Sequence, residues 1–156
     1  MIPYVVSFDA VAVTAQQDLL DVLSATTTVC ELLGVSLSQH TETGDAAEEE
    51  LLLYLKRGVG STVGSGGSAQ TPIKLETGAA AAAFSARKND TTIMTGGTIT
   101  ILHTEAWNVR SAFYFEPPPE RRIFLSPAER LTLHLASTPA DSITMNCAMY
   151  IGQYGG

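Results

Sequence analysis

The side chains through which this 156-residue chain can do chemistry are three histidines, sixteen carboxylates and a glycine-rich tract. The tract Gly64-Ser65-Gly66-Gly67-Ser68 has the backbone freedom of a phosphate cradle. A P-loop, however, needs a Lys-Ser/Thr pair directly after its glycines, and here Ser68-Ala69-Gln70 follows. Asp45, Glu48, Glu49 and Glu50 form an acidic cluster without the alternating ligand positions and sharp glycine turn of a calcium loop, so it reads as a solvated charged face. His40, His103 and His134 stand singly. A cupin-like metal centre draws His and carboxylate from neighbouring strands and is announced by closely spaced histidines, yet the chain has neither H-x-H nor H-x-x-E-H. His103 and His134 each lie in an alternating segment, so folding can still bring them together. No G-x-S-x-G elbow marks a nucleophile. Trp107, Phe113, Tyr114 and Phe115 can stack on sugars where exposed, but read first as core.

Composition narrows the classes. Nine basic against sixteen acidic residues give a net charge of −7, which repels phosphate backbones and suits a basic or mixed-charge protein partner. Hydrophobic residues make up 45 % of the chain, enough to build one core without a metal or disulfide staple. Cys30 and Cys147 form no CxxC pair and read as buried thiols. Met1-Ile2-Pro3-Tyr4 carries no basic leader pattern, and no window approaches ~18 consecutive apolar residues. The expectation is a soluble product of a cytoplasm, with no membrane and no nucleic-acid partner.

The elements that must position these groups follow a period of two. Tyr4 to Val13 alternates, with a bulge expected near Asp9-Ala10. Val29 to Leu37 and Leu51 to Val59 read as strands, the latter preferred over a helix because glycines cap it early. Gln17 to Leu23 suits strand or helix. Residues 58–70 read as a flexible Gly/Ser-rich loop, followed by an edge piece at Thr71 to Leu75. Gly78 to Phe84 is alanine-rich and suits a brief helical turn or a strand, leading into a strand at Ala83 to Lys88. Thr98 to Glu105 alternates most cleanly, and Trp107 to Phe115 reads as an aromatic strand. Pro117-Pro118-Pro119 makes a stiff connection; Leu131, Leu133 and Leu135 face inward, and Ser142 to Tyr150 closes the chain. Eight to ten strands with turn signals between them and no alternating helices imply an all-β chain. The expected fold is one antiparallel β-sandwich domain over residues 1–156, jelly-roll-like.

Five stretches carry a family resemblance: V-S-F-D-A-V-A-V-T-A-Q-Q-D-L near the N-terminus, G-S-G-G-S-A-Q-T-P, E-A-W-N-V, P-P-P-E-R-R-I-F-L-S-P-A-E-R-L-T-L, and A-D-S-I-T-M-N. Together they resemble a family of small phage and prophage proteins similar to the decoration (cement) proteins of tailed-phage capsids. The resemblance implies a β-sandwich knob, a homotrimer on the capsid surface of the virion, the major capsid protein as partner, and no cofactor, small-molecule substrate or catalytic residue. The expected contact residues are Tyr4 in the extended N-terminus, Ser65, Gly66 and Gly67 in the loop, Trp107, and Pro118, Arg121 and Arg122 at the proline corner. Two other readings stay open: a carbohydrate- or receptor-binding module of a phage tail or fibre, and a cupin-like metalloenzyme.

Overall fold

Alternating burial along the strands dictates two stacked sheets, and the computed structural model, which describes residues 1–41 and 49–155, has them. The strands are β1 (Ile2–Val13), β2 (Gln17–Leu23), β3 (Val29–Gln39), β4 (Glu50–Val59), β5 (Ser68–Gln70), β6 (Ile73–Lys74), β7 (Ser85–Asp90), β8 (Thr98–Asn108), β9 (Phe113–Phe115), β10 (Phe124–Leu125), β11 (Glu129–Leu135) and β12 (Ile143–Tyr154). Sheet A runs β10-β3-β12-β1-β6, with β9 also on β3; sheet B runs β5-β7-β2-β11-β4-β8. The main strands alternate between the sheets in chain order except at β4 and β8, which pair within sheet B. Setting aside β5, β6, β7 and β10 leaves β9-β3-β12-β1 over β2-β11-β4-β8, the jelly-roll arrangement.

The core lies between the sheets. Phe113, Leu37, Cys147 and Phe8 form one cross-strand row of sheet A, and Leu55, Leu133 and Leu20 one row of sheet B; all seven are buried. Gln17 to Leu23 resolves as a strand because its apolar side chains pack into this core while Asp18 and Asp21 face the other way. The bulge at Asp9-Ala10 is present: the β1–β12 register shifts between Phe8 and Val11, and Ala10 takes φ 51°.

Three expectations need correction. No helical turn forms at Gly78 to Phe84; the chain turns at Glu76–Ala79 and then runs irregularly across Tyr4, whose hydroxyl donates to the Ala80 carbonyl. Ala's helix propensity is overridden because Phe84 is drawn into the core, edge-on to the Tyr4 ring. The aromatic strand expected over Trp107 to Phe115 is split. Trp107 lies near the end of β8 in sheet B, a turn at 109–112 intervenes, and Phe113–Phe115 belongs to sheet A.

The third correction concerns residues 58–70, which form a ribbon rather than a flexible loop. They run antiparallel to 86–98: Val59 pairs with Thr98, Thr62 bridges Thr95, Ser65 bridges Thr92, and Ser68 pairs with Lys88. The ribbon leaves one edge of sheet B at β4–β8 and rejoins it at the opposite edge through β7–β2, so its middle crosses the sheet's outer face. Glycine is needed where its two chains press together. A Cβ on Gly64 would lie 2.3 Å from the Thr92 carbonyl oxygen, and one on Gly97 would lie 2.3 Å from that of Val59. Gly97 also has φ +58°.

Gly97→Ala is therefore expected to destabilise the protein by roughly 1–3 kcal/mol in urea unfolding. Gly78→Ala, where a Cβ meets nothing within 4 Å, is expected to stay within about 0.5 kcal/mol of the parent.

Candidate functional site

The ribbon buries a layer of charge on the outer face of sheet B. Asp18 and Asp21 on β2, Lys56 on β4, and Arg130, Thr132 and His134 on β11 are all buried there. The strand register assembles them: Asp18 lies across from His134, and Asp21 across from Thr132, which faces Lys56. The Asp18 carboxylate accepts from the Met94 backbone N–H of the ribbon (2.6 Å), meets His134 Nδ1 (2.8 Å) and lies 3.5 Å from Lys56 Nζ. Asp21 accepts from Thr132 Oγ1 (2.7 Å) and pairs with Arg130. Farther along the ribbon, Asp90 accepts from the Gly67 N–H (3.0 Å) and from Arg87 Nη2 (2.6 Å). Tyr54 stacks on the His134 ring.

This arrangement fastens the ribbon rather than presenting a reactive group. Both Asp18 oxygens and both Asp21 oxygens are engaged by the protein itself, and a buried charge so paired escapes most of its desolvation cost. Burial nevertheless dominates at Asp21: it pushes the carboxyl up to about 6, against the lowering pull of Arg130.

Among the described residues, no three His, Cys, Asp or Glu side chains converge as metal ligands. His103 and His134 sit on β8 and β11 with β4 between them and point to opposite faces. His134 faces the ribbon, and His103 packs on Phe115 with ring centres 4.4 Å apart. His40 pairs with Asn146 (3.0 Å). Cys30 and Cys147 are free and buried; burial pushes the Cys30 thiol up to about 11 and raises that of Cys147 as well. Asp45 and Glu48 fall outside the described residues, whereas Glu49 accepts from the Ala140 N–H (2.6 Å).

The surface holds two uncharged features. The outer face of sheet A carries small side chains at its centre, with Ser7, Ala148, Ser36 and Tyr114 in one cross-strand row. A shallow depression of about 290 Å³ lies over Ser7, Ser36, Ser38 and Ala148, with Asp9 at its end. Exposed Tyr114 and Tyr150 lie beside this centre, and Tyr154 and Phe124 lie farther along the sheet toward β10. The second feature is the free edge strand β8, where Ile99 and Ile101 project from the outer side, exposed by 38 % and 52 %. A bulge between Leu55 and Lys56 turns Ile101 outward while sending His103 inward. Between β8 and the proline corner runs an open groove of about 450 Å³, lined by Leu102, His103, Tyr114, Phe115, Pro118 and Arg121 among others.

The expected contact residues do not form one patch. Tyr4 is wholly buried, because its ring fills the space between β1 and Phe84, and Trp107 is buried with its indole N–H donating to the Ser111 carbonyl (2.7 Å). Neither offers surface to a partner. Arg122 is held by Glu31 (3.2 Å). Ser65, Gly66 and Gly67 are exposed on the ribbon, and Pro118 and Arg121 are exposed at the corner. Sequence reasoning missed the buried charge layer and the Ile99–Ile101 edge. Part of the signal for the first was present, since Asp21, Lys56, Thr132 and His134 interrupt apolar strands, but Asp18 joins the face of Asp21 only through the bulge opposite Leu133 and His134.

Comparisons with protein-family models, with curated proteins and with solved structures find no match to this chain.

The raised Asp21 carboxyl has a pH consequence. The folded state keeps a proton up to about pH 6 that an unfolded carboxyl near 3.8 has already lost. The stability this group contributes is full below 3.8 and is lost as pH rises through 6. Urea unfolding of the parent and Asp21→Asn at pH 4 and pH 7.5 is expected to favour the variant, relative to the parent, by roughly 2–3 kcal/mol more at the higher pH.

Proposed function

We propose that this chain is a viral structural protein, a decoration (cement) protein that binds the outside of a tailed-phage capsid and stabilises it through protein–protein contacts as a homotrimer. The observation that carries the reading is the outer face of sheet A. A shallow field of Ser and Ala, with Asp9 at one end and exposed Tyr114 and Tyr150 beside it, is suited to burial against another protein. The charge layer of sheet B supports it from the other side, since those groups are paired with one another or, at Asp18, with the ribbon. In this reading Pro118 and Arg121 at the corner and Ser65 to Gly67 on the ribbon reach toward the major capsid protein. In purified particles the chain is expected at a copy number near that of the major capsid protein, measured by quantitative mass spectrometry. Its absence from particles removes the proposal.

One observation favours a second reading, a glycan-binding module of a phage tail or fibre. Tyr114, 69 % exposed, borders the 450 Å³ groove with Arg121 on the same rim, an aromatic surface beside a hydrogen-bond donor. Under that reading a glycan array gives binding that Tyr114→Ala reduces at least tenfold; an array with no binder removes it.

A further inference from the structure

The ribbon over sheet B is bonded well to itself and sparsely to what lies beneath. Its two chains hold each other through backbone hydrogen bonds of 2.7–3.1 Å between Thr62 and Thr95 and between Ser65 and Thr92. Both ends turn at residues of positive φ: Gly60, Gly96 and Gly97 at one, Gly66 and Asn89 at the other. Among the described residues, its middle is bonded to the sheet through Met94. The Met94 N–H donates to Asp18, and its sulfur lies 3.7 Å from Thr132 Oγ1. Gly64 and Met94 are buried, whereas Thr62, Ser65, Thr92 and Thr95 are exposed.

This cover is neutral, with no charged residue in Gly60 to Ser68 or in Thr91 to Thr98. It therefore offers the buried Asp21 carboxyl no counter-charge. The charged groups that face Asp21 all come from the strands: Arg130 on β11, Asp18 on β2 itself and Arg87 across on β7, with Lys56 on β4 and His134 on β11 in the same layer. Closing the ribbon over an ionised Asp21 seals a carboxylate from water with Arg130 as its one directly bonded cation. Lifting the ribbon gives the water back and leaves the core between the sheets closed.

We propose that the ribbon is a strap that lifts from sheet B as a unit while the sandwich stays folded, and that ionisation of Asp21 favours the lifted form, independently of any capsid role. The sign follows from burial. It raises the Asp21 carboxyl from 3.8 to about 6, so the closed form holds a proton that the lifted form, with its carboxyl back in water, has released. The closed form loses ground as pH rises through 6, by about a hundredfold at most in the closed-to-lifted ratio. The strap thus governs whether this face presents neutral threonines or a mixed-charge strip of Asp18, Asp21, Lys56, Arg130 and His134.

The methionines supply the test. Met1 is exposed, Met94 is buried under the ribbon, and Met145 and Met149 are buried in the core. Hydrogen peroxide passes one oxygen atom to each thioether it reaches, giving the sulfoxide and water, and peptide mass spectrometry reads the rate at each site. Relative to Met1, Met94 is expected to oxidise at least roughly tenfold faster than Met145 and Met149, and to speed up about ten- to hundredfold between pH 4 and pH 7.5. In Asp21→Asn that acceleration is expected to shrink below about threefold. Continued protection of Met145 and Met149 shows that the variant is folded, and Asp21→Ser takes its place if they are not protected. Met94 oxidising in step with Met145 and Met149 overturns the proposal, because the ribbon then opens only with the whole fold. A Met94 rate that ignores pH, or that responds equally in the variant, overturns it as well.

Discussion

The carboxylate of Asp18 is the point on which sheet B depends. It lies on the outer face of a strand flanked on both sides, takes the Met94 N–H from the ribbon, and meets His134 and Lys56. An unpaired charge in that position would cost several kcal/mol. The ribbon supplies the missing donor, and in exchange its irregular middle gains a fixed anchor. The glycines at 64 and 97 let the two chains of the ribbon come close enough to cross the sheet at all. Anchor and crossing need each other: without the crossing Asp18 and Asp21 face water on an ordinary surface, and without the anchor a glycine-rich segment has little reason to order.

This arrangement explains what the amino-acid order revealed and what it hid. Strands such as Leu131–Leu135 and Ile143–Tyr154 were legible because their side chains alternate against one core, a property local to each strand. The ribbon was not legible. Gly60 to Gly67 has the composition of a flexible linker, and its order comes from Thr92, Thr95 and Asp90, residues 23 to 33 positions away. Tyr4 and Trp107 were misplaced for a related reason. Burial of an aromatic side chain depends on what folds over it, here Phe84 and the Ser111 turn, and no period in the sequence records that.

The same division holds for the surface. The proline corner at Pro118 and Arg121 could be picked out because a triple proline leaves little conformational choice. The outer face of sheet A could not. Ser7, Ser36 and Ala148 are unremarkable one at a time, and become a surface only when β1, β3 and β12 are placed side by side in register. Small residues at outward positions leave a period-two pattern almost unchanged, so the reading of the fold was secure where the reading of the contact face was blind.

Covering sheet B with its own ribbon also settles which parts of the molecule remain for other proteins. In a sandwich both outer faces are ordinarily free. Here one is covered by the chain itself and most of its charges are paired internally, which leaves the exposed side of the ribbon, the outer face of sheet A, the β8 edge, and the groove and corner between them as open surface. All of these rest on paired strands or on prolines, so a partner meets surfaces that are already ordered. Association then pays little conformational entropy beyond side-chain immobilisation. In the proposed capsid role that saving counts several times over, because several copies would engage a common support at once.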